Sequence, residues 1–174
     1  DMLFLAKADN GLVIPHQESV NLREEVEAVF EFYDALAAEK SVKLLLQGTA
    51  IVVGDPLMLR RAISNLISNA VRHSAPNTEV TVRFVSSQSR LHLFVENTGD
   101  GISPDQLGRV FDRFYRADAS RRRSDEGAGL GLAITRSIIR AHQGEISVSS
   151  AEGKTSFQVI LPMATVSADA AADH

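Results

Sequence analysis

The sequence predicts an α+β two-layer sandwich, in which one mixed sheet of about five strands carries three main helices on one face. Segments of helical periodicity alternate along the chain with pairs of short segments in which apolar and polar residues alternate. The length of 174 residues suits a single domain, and the hydrophobic content of 44% is enough to build its core.

The three main helices are predicted from their start signals. The first opens on a capping box, the second on an aspartate cap with proline at the first helical position, and the third on a glycine-rich run. Their expected extents are Asn21 to Ala37, Asp55 to His73 and Gly129 to His142. A short helix capped by Ser103-Pro104 is expected within the irregular segment 97–126.

The strands are predicted from β-like apolar segments bounded by turn residues. The fourth and fifth of them flank a run of serine and glutamine, which is a hairpin signal. These segments are a short extended entry at Ser19–Leu22 and the predicted strands Val42–Gln47, Ala50–Val53, Glu79–Val85, Arg90–Glu96, Glu145–Ser150 and Ser156–Leu161.

Composition excludes several functional classes. The chain has no cysteine, so it has no disulfide, thiolate metal site or cysteine nucleophile. A net charge of −4, an aromatic content of 6% and the absence of tryptophan argue against nucleic-acid binding. No apolar run reaches the roughly 18 residues of a transmembrane helix, so we expect a soluble chain.

Glycine and arginine are concentrated in one segment. Six of the 11 glycines lie within residues 99–131, and residues 109–123 contain six arginines against two aspartates. A basic, glycine-rich segment in an acidic domain is where we expect a small anionic ligand.

The helix that follows Asp55 has a polar face. Asn65, Asn69, Arg72 and His73 lie on the side of the helical wheel opposite its apolar residues. Two carboxamide oxygens one turn apart suit a Mg²⁺ ion that shares phosphate ligands. A solvated helix face would show the same pattern.

Two glycine motifs follow. In the first, Asn97 precedes Gly99 and Gly101, which allow a tight turn close to a ligand, although a hairpin exit loop would look alike. In the second, the run Gly127–Gly131 leads directly into a helix, whose N-terminus favours a phosphate, although a flexible hinge would also fit. The run is neither a Walker loop nor a dinucleotide fingerprint, because Lys-Ser/Thr does not follow it and no strand precedes it.

In this order, the three segments and Phe111–Arg116 resemble the N box, first glycine box, F box and second glycine box of sensor histidine kinases. The resemblance covers about residues 16–162 and implies the Bergerat-type ATP-binding fold of the catalytic domain, with a long ATP lid. The sequences of Glu96–Ile102 and Phe111–Arg121 most resemble those of heavy-metal (copper or silver) sensor kinases.

The resemblance implies an ATP–Mg²⁺ site. Asn69 would be the principal Mg²⁺ ligand with Asn65 assisting, and Arg72 and His73 would face the phosphates. Arg116 and Arg121 of the lid would reach the γ-phosphate, while Phe111 and Phe114 would anchor the lid on the core. The remaining implied nucleotide-binding residues are Asn97, Gly99, Gly101, Ile102, Gly127, Gly129, Leu130, Gly131, Leu132 and Thr155.

Asn97 departs from the family pattern, which has aspartate at the position that reads the adenine amino group. An asparagine oxygen also accepts that hydrogen bond, but the neutral pair is weaker by about 1 kcal/mol. Because an amide can rotate to present its donor, discrimination against guanine is also expected to suffer.

The residue at position 65 bears on the reaction. The resemblance implies that ATP-hydrolysing proteins of this fold have a glutamate at this position, which activates the attacking water. This chain has Asn65 instead, and an asparagine side chain cannot act as a base. Transfer of the γ-phosphoryl group to an imidazole is therefore favoured over hydrolysis. The alternatives are a non-catalytic nucleotide-binding regulatory module and, less favoured for want of a glutamate at this position, a serine/threonine kinase of the anti-sigma type.

The resemblance also implies partners and organisation. Residues 1–15 would be the end of a dimerisation helix and a linker, 16–162 the catalytic domain, and 163–174 a disordered tail. None of the five histidines has the sequence context of the phosphoacceptor, so the acceptor would belong to a separate dimerisation domain. A response regulator would act downstream. The chain would lie on the cytoplasmic side of the bacterial inner membrane, reaching the membrane only through a part N-terminal to this sequence.

Overall fold

The fold is known from a computed structural model that describes residues 1–116 and 129–163. Five helices and seven strands lie within these ranges. The helices are α1 (Met2–Asp9), α2 (Leu22–Glu39), α3 (Pro56–Arg72), α4 (Pro104–Leu107) and α5 (Gly131–Ala141). The strands are β1 (Glu18–Asn21), β2 (Val42–Gln47), β3 (Ile51–Gly54), β4 (Thr78–Ser87), β5 (Arg90–Thr98), β6 (Glu145–Ala151) and β7 (Lys154–Pro162).

Five strands form the mixed sheet that the sequence predicts. Their order is β2-β4-β5-β7-β6, with β2 parallel to β4 and the other pairs antiparallel. The hairpin of β4 and β5 is confirmed, and both strands are longer than expected. The sequence does not indicate that β1 and β3 leave this sheet and pair with each other as a separate antiparallel ribbon.

The core lies between the sheet and the three main helices. Helix α3 packs against α2 on one side and α5 on the other, and its predicted apolar face is buried throughout. Alternate residues of β4, β5 and β7 meet that face, and Phe157 of β7 is the largest fully buried side chain. The two-layer sandwich is therefore confirmed.

Hydrogen bonds at the start of α3 fix this helix relative to α5. The Asp55 carboxylate accepts bonds from the amides of Leu57 and Met58, as its predicted capping role requires. The Asp55 amide in turn donates to Nε2 of His142 at 3.0 Å, and the other ring nitrogen of this buried histidine lies 2.8 Å from the Ile138 oxygen. Since Nε2 accepts, Nδ1 carries the proton in this arrangement.

Helix α5 begins at Gly131, two residues later than the sequence indicates. Gly129 has φ +77, a left-handed conformation that cannot be part of the helix. Apart from Met163, the expected tail of residues 163–174 lies outside the described residues.

The N-terminal segment is helical, as predicted, and packs against α5. Leu5 of α1 is 1% exposed, and Phe4 receives the Arg61 guanidinium at 5.4 Å from its ring centroid. Asp9 forms an ion pair with Arg113. Its assignment as the end of a dimerisation helix stays a prediction. Within the described ranges, no helix has the length and apolar character needed to cross a bilayer.

The face of the sheet away from the helices carries a charged cluster in an open cavity of about 560 Å³. Glu96 bonds to Arg83 and to Lys154, at 2.9 Å in each case. Burial alone would raise the pKa of Glu96, but hydrogen bonds and charges from Lys154 and Arg83 outweigh it, so its pKa lies below the ordinary 4.5.

This cluster predicts an acid-dependent loss of stability. Because the pKa of Glu96 is lower in the folded state, the cluster stabilises the fold above the unfolded-state pKa, and this contribution is lost as the pH falls through the folded-state value. We expect Glu96→Gln to lower the free energy of unfolding by about 1 kcal/mol at neutral pH and by less under acid conditions. Urea unfolding of both proteins across this range is the measurement, with Glu79→Gln on the same face as control. If the difference in free energy of unfolding between the intact chain and Glu96→Gln did not become smaller in acid, the lowered pKa of Glu96 in the folded state would be contradicted.

Candidate active site

Asn65 connects the two helices that carry most of the predicted site residues. Its amide nitrogen donates to the Gly131 oxygen at 3.0 Å and to Thr135 Oγ1 at 3.2 Å, while Thr135 donates to the same carbonyl at 2.8 Å. The middle of α3 is thereby held against the first turn of α5. The amide oxygen of Asn65 receives no hydrogen bond from the described residues, so it remains available to a ligand.

Asn69 lies one turn further along the same face of α3. Its side chain is half-buried, and within residues 1–116 and 129–163 no group forms a hydrogen bond with its amide. Amide oxygens spaced by one turn fit the preference of Mg²⁺ for a few oxygen ligands completed by water and phosphate. Arg72 and His73, at the end of the helix, are exposed beside them.

The inner face of the sheet contributes a pair of polar residues. Asn97 of β5 and Thr155 of β7 lie opposite each other in register, and each is 4% exposed. The Asn97 amide has no hydrogen-bond partner among the described residues. Its side-chain amide can therefore exchange hydrogen bonds with a ligand.

The first glycine turn brings β5 against the end of α3. Gly99 pairs with Ser74, and a Cβ on this glycine would overlap the carbonyl oxygen of His73. Gly101 has φ +75, and a side chain there would strain the backbone. The turn thus places Asn97 next to the polar end of α3.

Ser150 is a site residue that sequence reasoning missed. Its Oγ accepts from the Ile102 amide at 2.9 Å and lies 3.0 Å from Thr155 Oγ1. It therefore joins the first glycine turn to β7. The sequence did contain a signal for it. Ser150 lies on the same side of β6 as Ile146 and Val148, and this side of the strand is partly buried.

The second glycine motif meets the F box. The Phe114 amide donates to the Gly129 oxygen at 3.0 Å, and a Cβ on Gly129 would lie 2.9 Å from the Phe114 backbone. The two ends of the predicted lid are therefore joined at its base. Leu130 is buried just before Gly131, the first residue of α5, and Leu132 packs partly against the core.

The two phenylalanines expected to anchor the lid behave differently. Phe111 is half-buried, and its ring meets Phe157 edge-on at 6.1 Å. The expectation is wrong for Phe114, whose side chain is 58% exposed. Its backbone has φ +62, and this turn toward Gly129 directs the side chain outward.

Most of the predicted site residues lie along the C-terminal half of α3 or on the segments that contact it, the start of α5 and the first glycine turn. The described ones are Asn65, Asn69, Arg72, His73, Asn97, Gly99, Gly101, Ile102, Arg116, Gly129, Leu130, Gly131, Leu132 and Thr155. Arg116 is half-buried at the edge of the described chain. Arg121 and Gly127 lie outside the described residues, and so does most of the predicted lid.

A family model described as "Histidine kinase-, DNA gyrase B-, and HSP90-like ATPase" matches residues 54–165, which include α3, both glycine motifs and the F box. The chain belongs to this family. Among curated proteins, it is 49% identical over 163 residues to the sensor histidine kinase CusS of Escherichia coli O157:H7. This match covers 93% of the chain but 34% of CusS, so the chain spans about a third of the relative's length.

Solved structures confirm the fold. The catalytic domain of the histidine kinase ThkA superposes with a TM-score of 0.74 at 20% identity, covering 84% of this chain and 95% of that domain. Full-length ShkA, crystallised with AMPPNP, superposes with a TM-score of 0.82 at 26% identity, covering 96% of this chain and 35% of ShkA. The sheet and helices described above are therefore those of histidine kinase ATP-binding domains, the Bergerat fold.

Proposed function

We propose that this chain binds ATP with Mg²⁺ and donates the γ-phosphoryl group to a histidine on a separate helical domain. The observation that carries the proposal is the pair of side-chain amides one turn apart on α3, Asn65 and Asn69, of which Asn65 is held against the start of α5 with its oxygen receiving no hydrogen bond from the described residues. Family membership and the AMPPNP complex of ShkA support a nucleotide as the missing ligand.

The donor set fits the nucleotide and its metal. Asn69 and Asn65 would hold Mg²⁺ through their amide oxygens, and the ion would supply positive charge against the phosphates. Backbone amides at Gly129, Leu130 and Gly131 would hold the phosphate chain at the start of α5. Asn97 and Thr155 would bind the nucleobase between Ile102 and Leu132.

Charge on the chain would stabilise the transfer. Arg72 and His73 lie exposed beside the Mg²⁺ ligands, and Arg116 and Arg121 belong to the predicted lid. As the bond between the β–γ bridging oxygen and the γ-phosphorus breaks, the three arginines would neutralise the departing charge. An imidazole nitrogen of the acceptor would form the new bond, leaving ADP.

Two competing reactions, hydrolysis of ATP and phosphorylation of His142, are disfavoured by residues of this chain. Asn65 cannot remove a proton from water, and its amide nitrogen is engaged with α5. His142 cannot serve as the acceptor, because it is buried and both ring nitrogens are hydrogen-bonded. Hydrolysis and self-phosphorylation at this residue are therefore not expected.

The wider role follows from the relatives. CusS is named as a sensor histidine kinase, and this chain would be the catalytic part of such a protein, acting in two-component signalling with its own dimerisation domain and a response regulator. The resemblance of Glu96–Ile102 to heavy-metal sensors favours a metal-responsive system. The full protein would place this part on the cytoplasmic side of the membrane.

Calorimetric titration with ATP, ADP and GTP, each with and without Mg²⁺, tests the binding half of the proposal. We expect ATP to bind, Mg²⁺ to strengthen its binding, and Asn97→Ala to weaken it about fivefold, the value of one hydrogen bond. Replacing Asn77, an exposed turn asparagine, by glycine serves as the control, since its φ of +63 suits glycine. Failure of ATP to bind would contradict the proposal.

The second candidate is a nucleotide-binding regulatory module that transfers no phosphoryl group. It is retained because none of the five histidines has the sequence context of a phosphoacceptor, so this chain does not itself hold both halves of the transfer reaction. Both candidates bind ATP, and only transfer to a histidine separates them.

A further inference from the structure

Thr135 lies one turn into α5, and its side chain is fully buried. Its hydroxyl donates to the Gly131 oxygen at 2.8 Å and lies 3.2 Å from the amide nitrogen of Asn65. The same amide nitrogen donates to the Gly131 oxygen at 3.0 Å. The three groups form a closed triangle between α3 and α5, and Thr135 is the member of it to which the proposed function gives no role.

The Gly131 carbonyl fixes the direction of each hydrogen bond in this triangle. A carbonyl oxygen has no proton, so the Thr135 hydroxyl and the Asn65 amide must both donate to it. The single hydroxyl proton of Thr135 is then used, and toward Asn65 this hydroxyl can only accept. The opposite orientation of the Asn65 amide would bring its oxygen to 3.0 Å from the Gly131 oxygen, an unfavourable contact between two acceptors.

The Asn65 amide is consequently held in one orientation. Its nitrogen has two protons, and one goes to Gly131 while the other goes to Thr135. Neither proton is left for a ligand. The amide oxygen, at the other end of the planar group, receives no hydrogen bond from residues 1–116 and 129–163. Because Mg²⁺ binds to oxygen ligands, this orientation presents the atom that the metal requires.

Loss of the Thr135 hydroxyl would remove half of this restraint. Gly131 would then hold the amide by one proton, and the group could turn about that single bond. Side chains that bind metals depend on neighbouring groups that hold them in the binding orientation, and removal of such a neighbour lowers the affinity for the metal.

We propose that Thr135 is a positioning residue, which orients the Asn65 amide so that its oxygen faces the metal ion of the bound nucleotide. Because Thr135 is fully buried, it acts through Asn65 and not by contact with a ligand. The inference rests on the proposed nucleotide and Mg²⁺ site and names the residue that prepares one of its ligands.

The first test compares the affinity for ATP in Mg²⁺ with the affinity in a chelator, and the ratio of the two is the response to Mg²⁺. Thr135→Val nearly keeps the shape of the side chain and removes its hydroxyl. It should lower the response to Mg²⁺ about fivefold, the value of one hydrogen bond, and leave the affinity in chelator unchanged. Added to Asn65→Ala, it should change nothing further, because both substitutions remove one coupled interaction.

Three further variants complete this test. Thr135→Ser returns the hydroxyl and should restore the response to Mg²⁺. Thr135→Ala is a second variant without the hydroxyl, in case valine prevents folding. Ser137→Ala removes a hydroxyl two positions along α5, on a different side of the helix, and should leave both affinities unchanged. Thermal unfolding of each variant verifies that the chain remains folded.

The second test needs neither nucleotide nor metal. In the NMR spectrum of the ¹⁵N-labelled chain, the side-chain amide of Asn65 is identified as the signal pair that Asn65→Ala lacks. Both of its protons should exchange slowly with water, since both are hydrogen-bonded. Thr135→Val should speed the exchange of one of them, and Thr135→Ser should not.

The outcomes separate this inference from the proposed function. Equal weakening of ATP binding with and without Mg²⁺ in Thr135→Val would show that the threonine only supports packing, and the inference would be overturned while nucleotide binding stood. An unchanged response to Mg²⁺, or unchanged exchange of both Asn65 protons, would overturn it as well, and so would an equal effect of Ser137→Ala. If the intact chain bound no ATP, the proposed function itself would be contradicted, and the exchange of the Asn65 protons would still decide whether Thr135 orients this amide.

Discussion

Replacing Asn69 by alanine should abolish the strengthening of ATP binding by Mg²⁺ and weaken binding about 10- to 100-fold in its presence. Asn69 is half-buried on the polar face of α3, and its amide has no hydrogen-bond partner among the described residues. Its removal therefore costs the fold little, and the whole effect should fall on the metal–phosphate interaction. Titration of ATP in Mg²⁺ and in a chelator measures it.

A matched control is available at Asn10. The side chain of this exposed asparagine at the end of α1 donates to the Ala6 oxygen of its own helix and bonds to no other described residue. Asn10→Ala should leave both the affinity for ATP and its response to Mg²⁺ unchanged. If Asn69→Ala still showed the full response to Mg²⁺, Asn69 would not be a ligand of the metal.

Gly99→Ala should lower the free energy of unfolding by about 3 kcal/mol and abolish nucleotide binding. The new methyl group would overlap the carbonyl oxygen of His73, which is a backbone atom with no freedom to rotate aside. Either the end of β5 or the end of α3 must shift, and both carry site residues. Urea denaturation with a parallel ATP titration would measure the two effects.

Gly108 is the control glycine, since a Cβ there meets nothing within 4 Å and its φ of −71 suits any residue. Gly108→Ala should change stability by no more than about 0.5 kcal/mol and leave binding intact. Equal effects of the two substitutions would show that the close approach of β5 to α3 does not organise the site.

The elements were predictable where the signals are local. The cap at Asp55, the proline after it and the buried face through Leu66 define α3 within a residue of its observed bounds. The hairpin of β4 and β5 followed from alternation around a polar turn. These features depend on neighbours within a few positions along the chain.

Features that depend on distant parts of the chain were not predicted. The contact of Ser150 with Ile102 spans 48 positions, and the pairing of β1 with β3 also joins residues far apart along the chain. The outward orientation of Phe114 follows from a left-handed backbone that only its partner Gly129 explains. The resemblance implies that Phe114 anchors the lid, but it does not indicate which way the turn directs the side chain.

The measurement that tests the central claim most directly is transfer of phosphate from γ-labelled ATP to a separately supplied helical phosphoacceptor domain of a sensor histidine kinase. The proposed function predicts label on the acceptor histidine, in an acid-labile and alkali-stable form, dependent on Mg²⁺. Label should not appear when the acceptor histidine is replaced or when the ATP carries its label on the α-phosphate. Binding of ATP without any transfer would contradict the kinase and leave the regulatory module as the function of the site.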